Sequence, residues 1–175
     1  TTGTPKGVML SHTNMLTNTQ DATAVLPITE DDITVSFLPL SHGFERTAGL
    51  YTILRAGAAI AYGGSTVSLT KDLGEVRPTA LCCVPRVLEL VYRRVSNERE
   101  NASFLKRKLL DWAFNVGRKA GDYRVVQQPL PFGVSLQHRI VDRIVFQKLR
   151  TVLGGRARFL VSGGAPLSAE VARFF

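Results

Sequence analysis

The chain has 175 residues, of which 45% are hydrophobic and 21% charged, and its formal net charge is +8. This composition is typical of a soluble globular domain, and the length is sufficient for a core of its own. No stretch approaches the roughly 20 apolar residues that cross a bilayer. The start of the chain also lacks the charged-then-apolar pattern of a signal peptide.

Two adjacent cysteines, Cys82 and Cys83, are the only ones in the sequence. Neighbours on a strand point to opposite faces, so a disulfide between them is not expected. No His/Cys spacing indicates a zinc site, and no metal ligands are predicted within the chain. We interpret both as core residues in a reducing compartment, which favours a cytoplasmic location.

The positive charge is concentrated in residues 93–158, which hold 15 Lys/Arg against five Asp/Glu, whereas the remaining residues hold seven against nine. Two interpretations stay open: a solvated set of helix faces, or peripheral contact with an anionic membrane. The basic clusters lack the interleaved aromatic residues of a single-strand-binding surface, so nucleic acid is not an expected partner. The oligomeric state is not predicted.

The N-terminal run is rich in glycine and hydroxyl side chains and contains one lysine. The residues concerned are Thr1, Thr2, Gly3, Thr4, Lys6 and Gly7. Glycine lets backbone N–H groups turn toward an anion, while hydroxyls and lysine add donors suited to phosphate. The run does not match Walker A, in which the lysine follows the second glycine. From the residues alone, it is either a phosphate loop or a plain surface turn.

The first half of the chain alternates short β-rich runs with helical patterns. In chain order the predicted elements are helix 12–25, strand 33–38, helix 44–56, strand 58–62, helix 67–75, strand 80–84 and helix 86–96. Ser11 is a suitable cap for the first helix, and Pro27 ends it. This alternation predicts an α/β fold with a mainly parallel sheet covered by helices.

The second half interrupts that alternation between residues 97 and 155. Two long helical patterns, 103–121 and 134–153, follow one another with no strand between them. A late strand at 156–161 and a last helix capped by Ser168 complete the chain. We therefore expect one domain over 1–175, with 97–155 as a helical excursion from the sheet.

Loops after the predicted strands carry the remaining candidate residues. His42 lies in a Pro/Gly-bounded loop, followed by Glu45 and Arg46, which can pair with each other or cap the next helix. The last predicted strand leads into the small-residue segment Ser162, Gly163, Gly164, Ala165 and Pro166. The carboxyl ends of parallel strands meet at one edge, where ligands bind in such folds. A structural histidine and a simple turn are the alternatives.

Three of these segments resemble motifs of the adenylate-forming enzymes, which include acyl-CoA synthetases, luciferases and peptide-synthetase adenylation domains. The N-terminal run through Ser11-His12 is similar to their phosphate loop, and Pro39-Leu40-Ser41-His42 to their second core motif. Ser162–Pro166 is similar to the segment that lines the adenylate pocket. The extension through Phe44-Glu45-Arg46 resembles the long-chain fatty acyl-CoA synthetases in particular.

The resemblance implies a long-chain fatty acid–CoA ligase that forms acyl-AMP from fatty acid and ATP, and then acyl-CoA. Thr1 to Gly7 would hold phosphates, His42 would lie beside the acyl carboxylate as a catalytic donor, and Ser162–Pro166 would line the nucleotide. ATP, Mg²⁺ and CoA are the implied cofactors. The family's Mg²⁺-binding glutamate lies in a later motif that this sequence lacks.

The chain is therefore expected to be a partial AMP-binding domain, truncated at both ends and inactive by itself. Two alternatives to the CoA ligase stay open. One is a fatty acyl-AMP ligase that passes the acyl group to a carrier protein. The other is a non-catalytic remnant that binds membrane surfaces through the basic region 93–158.

Overall fold

The computed structural model describes residues 7–64 and 67–175 and has an α/β fold. Its strands are β1 (Ile33–Ser36), β2 (Ala59–Tyr62), β3 (Ala80–Cys83) and β4 (Phe159–Ser162). They form two parallel pairs, β1 with β2 and β3 with β4. Thr79 N–H donates to Ile33 O at 2.9 Å, which places β1 beside β3 and gives the spatial order β2-β1-β3-β4. The predicted parallel arrangement is confirmed.

Helices lie around these strands. In chain order they are α1 (His12–Val25), α2 (Thr52–Arg55), α3 (Leu69–Val76), α4 (Pro85–Glu100), α5 (Phe104–Val125), α6 (Phe132–Val141), α7 (Gln147–Arg150) and α8 (Ala169–Phe174). Ser11 caps α1 through a reciprocal pair with Asn14, and Ser168 caps α8, as predicted. None of the helices in the described ranges is long and apolar enough to cross a bilayer.

Two predicted helices differ from the observed structure in their geometry. Predicted helix 44–56 begins with a π-helical segment, Glu45–Tyr51, before α2. Predicted helix 134–153 is divided into α6, a π-helical segment at Asp142–Phe146, α7 and a final 3₁₀ turn. Apolar periodicity over a few residues does not distinguish the i→i+4 hydrogen bonds of an α-helix from the i→i+5 hydrogen bonds of a π-helix, so the sequence pattern could not reveal either π segment.

Apolar side chains form two separate cores. The larger core packs β1 and β3 against α3 and α4 and includes Val35, Leu81 and Leu88. The smaller core packs α5 against α6 and the following π segment, around Ala113 and Val141, both of which are fully buried. The helical region thus has a core of its own, apart from the one that supports the strands.

The adjacent cysteines lie at the centre of the strand layer. Cys82 is 4% exposed and Cys83 0%, and both are free thiols. Burial raises the pKa of each thiol to about 12, so both are protonated at neutral pH. The interpretation of these residues as core is confirmed.

The amino ends of the strands are tied together by the buried carboxylate of Asp32, directly before β1. It accepts hydrogen bonds from Thr79 Oγ1 at 2.6 Å, before β3, and from Thr29 N–H at 2.9 Å. Arg158, directly before β4, donates through Nε at 3.2 Å and Nη2 at 2.5 Å. Burial acts to raise the pKa of Asp32, but these hydrogen bonds outweigh it and hold the pKa at about 2.

Candidate functional site

The loops that carry the predicted site residues start from the same edge of the strand layer. Gly63 N–H donates to Ser36 O at 2.8 Å, and Gly163 N–H donates to Cys83 O at 3.2 Å. Each bond extends its parallel ladder by one residue beyond the strand, so the loops after β1, β2, β3 and β4 begin together. This is the edge at which ligands bind in open parallel sheets.

His42 is exposed in the loop between β1 and the π-helical segment. Its N–H donates to Pro39 O at 2.9 Å, and its carbonyl accepts from Arg46 N–H at 3.0 Å. Phe44 N–H lies 3.3 Å from Nδ1, which makes that ring nitrogen the acceptor. In the tautomer that this contact favours, the proton lies on Nε2, which then has a donor to offer an oxygen ligand.

The ring of Phe44 joins the His42 loop to the segment after β4. A Cβ atom at Gly163 would lie 2.4 Å from Cε2 of Phe44 and 2.7 Å from Cδ2, closer than any real contact. Only glycine leaves room for the ring at this point. The loop from β1 and the loop from β4, distant in sequence, are thus in direct contact.

The small-residue segment presents mostly bare backbone. Gly164, Ala165 and Pro166 are exposed, and Gly164 has a left-handed φ of +81°. Ser162 is the last residue of β4, and its buried Oγ has no hydrogen-bond partner within residues 7–64 and 67–175. The exposed backbone of this turn leaves room for a flat ligand to lie against it, whereas the Ser162 hydroxyl below it is buried.

Glu45 is a buried carboxyl at the same edge, which the sequence did not single out as a site residue. It is 1% exposed, and its Oε1 accepts from the Ser36 hydroxyl at 2.5 Å. Burial raises the pKa of Glu45, and the Ser36 hydrogen bond offsets only part of that rise. Of the two alternatives for Glu45 and Arg46, the ion pair is absent from the described contacts, and Arg46 Nε instead donates to Leu40 O at 3.0 Å. The sequence signal that could have identified Glu45 was a charged residue three positions after the motif histidine, His42.

The predicted phosphate loop falls largely outside the described residues. This applies to Thr1, Thr2, Gly3, Thr4 and Lys6, whereas Gly7 is described and exposed. The structure therefore brings together two of the three predicted segments, those of His42 and Gly163. Residues 7–64 and 67–175 contain no cluster of three or more His, Cys, Asp or Glu side chains that suits a metal ion.

Comparison with known proteins assigns this architecture to a family. The model of a family described as "AMP-binding enzyme" matches residues 1–175. "Long chain acyl-CoA synthetase 6, peroxisomal" of Arabidopsis thaliana is 37% identical over 99% of the chain and 23% of its own length. "Long-chain-fatty-acid--CoA ligase 5" of Rattus norvegicus is 35% identical over 100% of the chain and 25% of its own length. The chain thus spans about a quarter of these relatives.

A solved structure shares the fold. The A domain of carboxylic acid reductase from Segniliparus rugosus, in complex with AMP and a co-purified carboxylic acid, superposes with a TM-score of 0.59. It is 25% identical, and the match covers 99% of the chain and 24% of that protein. The fold and the matched sequence therefore point to the same family.

Proposed function

Because the chain belongs to the AMP-binding enzyme family, we propose that it is part of a long-chain fatty acid–CoA ligase. Such an enzyme joins a fatty acid to AMP from ATP, releases pyrophosphate, and transfers the acyl group to the thiol of CoA. The relatives named as long-chain acyl-CoA synthetases support this substrate class. Because the chain spans about a quarter of their length, the proposal is that the activity belongs to a longer protein.

The contact between Phe44 and Gly163 is the observation that carries the proposal, because it joins the loop of His42 to the small-residue segment. In the first step a carboxylate approaches the negatively charged α-phosphate, and a nearby donor offsets the repulsion. Nε2–H of His42 is suited to hold the carboxylate. The carboxylate is already ionised, so His42 acts as a donor and not as a general base.

The remaining candidates would bind the nucleotide. Ser162 to Pro166 would lie against the adenylate, and Thr1, Thr2, Gly3, Thr4, Lys6 and Gly7 would hold the phosphates that leave as pyrophosphate. The ligands of Mg²⁺ would lie outside these segments, in the later motif that the family resemblance implies. Bound Mg²⁺ would neutralise phosphate charge, and CoA would enter as the second substrate.

Fatty-acid-dependent ATP–pyrophosphate exchange in the full-length protein tests the first step. We expect His42→Ala and Lys6→Ala to lower the exchange rate at least tenfold without changing the unfolding midpoint. Lys71→Ala is the matched control, because Lys71 is exposed and its ion pair with Glu75, at 3.8 Å, is also exposed. Exchange at wild-type rates in both variants would contradict these roles.

The acyl acceptor is tested separately, because a fatty acyl-AMP ligase performs the same first step. We expect added CoA to yield an acyl thioester in proportion to the AMP released. Pyrophosphate exchange without thioester, together with acyl transfer to a carrier protein, would favour the ligase alternative instead.

A second candidate function is peripheral membrane binding, which would place a cytoplasmic protein at its lipid substrate. An exposed apolar stripe at i, i+4 spacing favours it: Phe132, Leu136, Ile140 and Ile144, which are 86%, 48%, 47% and 41% exposed. Exposed Arg139 and Arg143 alternate with them in the sequence. Apolar side chains beside basic ones suit an anionic lipid surface.

Co-sedimentation with vesicles tests the membrane candidate. We expect full-length protein to bind vesicles containing phosphatidylserine, to bind less as salt rises, and to lose most binding in a Phe132→Ser/Leu136→Ser variant. Equal binding of wild type and variant would exclude this surface. The outcome leaves the adenylation tests unaffected.

A further inference from the structure

The buried carboxyl of Glu45 is not explained by the stability of the fold. Its Oε1 has one partner, the hydroxyl of Ser36, and its Oε2 has none within the described residues. An unpaired buried carboxyl oxygen lowers the stability of the folded state relative to an apolar side chain of the same size. A cost of this kind at the edge that carries the candidate site suggests a role in that site.

The positions of the two partners define what their hydrogen bond does. Ser36 is the last residue of β1 and Glu45 is the first residue of the π-helical segment. The eight residues between them, 37–44, form the loop that contains His42. The hydrogen bond therefore joins the two ends of this loop.

The conformation of the Glu45 side chain is fixed by its own helical segment. A Cβ atom at Gly49 would lie 2.6 Å from the carboxyl carbon and 2.6 to 2.7 Å from its oxygens. The backbone at Gly49 thus covers the carboxyl closely, which only glycine permits. Because the backbone at Gly49 packs against the carboxyl, Oε1 of Glu45 stays directed at Ser36, the last residue of β1.

The contacts in the rest of the loop depend on this hydrogen bond between Ser36 and Glu45. Arg46 Nε, one residue beyond Glu45, donates to Leu40 O, and Phe44, one residue before it, packs against Gly163. A shift of Glu45 would move both of these contacts. The hydrogen bond between Ser36 and Glu45 therefore contributes, together with these contacts, to the place of His42 relative to the segment after β4.

We propose that Glu45 is a positioning residue for His42, acting through its hydrogen bond with Ser36. This inference rests on the proposed function of His42 as the group that holds the acyl carboxylate. Glu45 itself touches no reacting atom in this scheme. Misplacement of a reacting group by about 1 Å can slow a reaction roughly a hundredfold.

The experiment uses the full-length protein with ATP and palmitate and compares Glu45→Ala, Glu45→Gln, Ser36→Ala and the double variant Ser36→Ala/Glu45→Ala. The rate of acyl-AMP formation is divided by the concentration of active sites, counted from the total pyrophosphate released in a single turnover. This correction removes losses that come only from poor folding. KM for ATP and for palmitate are measured separately.

We expect Glu45→Ala to lower the per-site kcat at least tenfold, with KM for ATP unchanged within twofold. Ser36→Ala should change kcat in the same direction, and the double variant should be no slower than Glu45→Ala alone, because one hydrogen bond is lost in each case. Glu45→Gln should stay within threefold of wild type, since its amide oxygen accepts from Ser36.

Three results would overturn the proposal: unchanged per-site kcat in Ser36→Ala, multiplicative losses in the double variant, or a Glu45→Gln variant as slow as Glu45→Ala. Ser36→Ala alone decides the matter if Glu45→Ala does not fold. The variant His42→Ala distinguishes failure of the positioning role of Glu45 from failure of the proposed function of His42. A wild-type rate in His42→Ala refutes the proposed function of that residue, whereas a slow His42→Ala with fast Glu45→Ala and Ser36→Ala refutes the positioning role alone.

Discussion

The two edges of the strand layer differ in whether their buried polar groups are hydrogen-bonded. At the amino edge, Asp32 accepts from Thr29, Thr79 and Arg158, and both of its oxygens are bonded. At the carboxyl edge, one oxygen of Glu45 and the hydroxyl of Ser162 have no partner among the described residues. The same strands thus end in a fully satisfied network on one side and in unpaired groups on the other. The comparison assigns a stabilising role to the amino edge, and it agrees with the proposed functional site at the carboxyl edge.

The largest effect is expected when the amino edge is broken. Asp32→Ala leaves Arg158 and Thr79 without their shared acceptor, and we expect the free energy of unfolding to fall by about 3 kcal/mol. Urea unfolding followed by circular dichroism measures the loss. The control is Glu75→Gln, which removes an ion pair between side chains that are 76% and 67% exposed. Its effect should stay below about 1 kcal/mol. Similar losses of unfolding free energy in Asp32→Ala and Glu75→Gln would contradict the stabilising role assigned to Asp32.

Acid should weaken the amino edge through the same carboxylate. The pKa of Asp32 is lowered from 3.8 to about 2 in the folded protein, so its contribution is complete above about pH 4 and is lost as the pH falls toward 2. The shift corresponds to about 2 kcal/mol. We expect the difference in unfolding free energy between wild type and Asp32→Asn to shrink by this amount between pH 5 and pH 2. A difference independent of pH would contradict the assignment.

A smaller effect is expected where the loops of the carboxyl edge touch. Gly163→Ala places a Cβ within 2.4 Å of the Phe44 ring, and the shift that follows should destabilise the protein by about 1–2 kcal/mol. Phe44→Ala opens this space, so the double variant should lose less than the sum of the single variants. Gly121→Ala is the control, because a Cβ there has no neighbour within 4 Å. Strictly additive losses would show that the two loops do not share this contact.

The smallest effect is expected from Ser162→Ala at the same edge. Its hydroxyl is buried without a partner in the described part of the chain, so its removal should change the unfolding free energy by no more than about 0.5 kcal/mol, or stabilise the protein slightly. Urea unfolding of Ser162→Ala and Asp32→Ala under the same conditions compares how much each edge contributes to the unfolding free energy. A loss above about 2 kcal/mol would mean that Ser162 supports the fold.

Local signals in the sequence were enough to predict much of the fold. Ser11 and Ser168 cap helices as their side chains suggest, and the short apolar runs form parallel strands. Strand order and register depend on long-range pairs such as Asp32 with Arg158, which are 126 positions apart. Nothing in a local window predicts such a pair.

The candidate site was predicted by motif and not by geometry. His42 and Ser162–Pro166 were identified as segments that meet at one edge, and the structure places their loops in contact through Phe44. Glu45 was noted as part of the Phe44-Glu45-Arg46 extension and as a residue that can pair with Arg46 or cap the next helix, but its observed partner, Ser36, belongs to the strand before the loop and was not predicted. A helical pattern also gave no reason to expect a π-helical segment at Glu45–Tyr51.

The two adjacent free cysteines of β3 have a practical consequence for chemical labelling. Both thiols are buried and have a pKa of about 12, so an alkylating reagent at neutral pH reacts only in molecules whose strand layer has opened. The rate at which iodoacetamide modifies Cys82 and Cys83 therefore measures the opening of the central strand directly. Ligands that bind at the carboxyl edge and stabilise the closed layer would slow that modification, so these native thiols would report binding without an engineered cysteine.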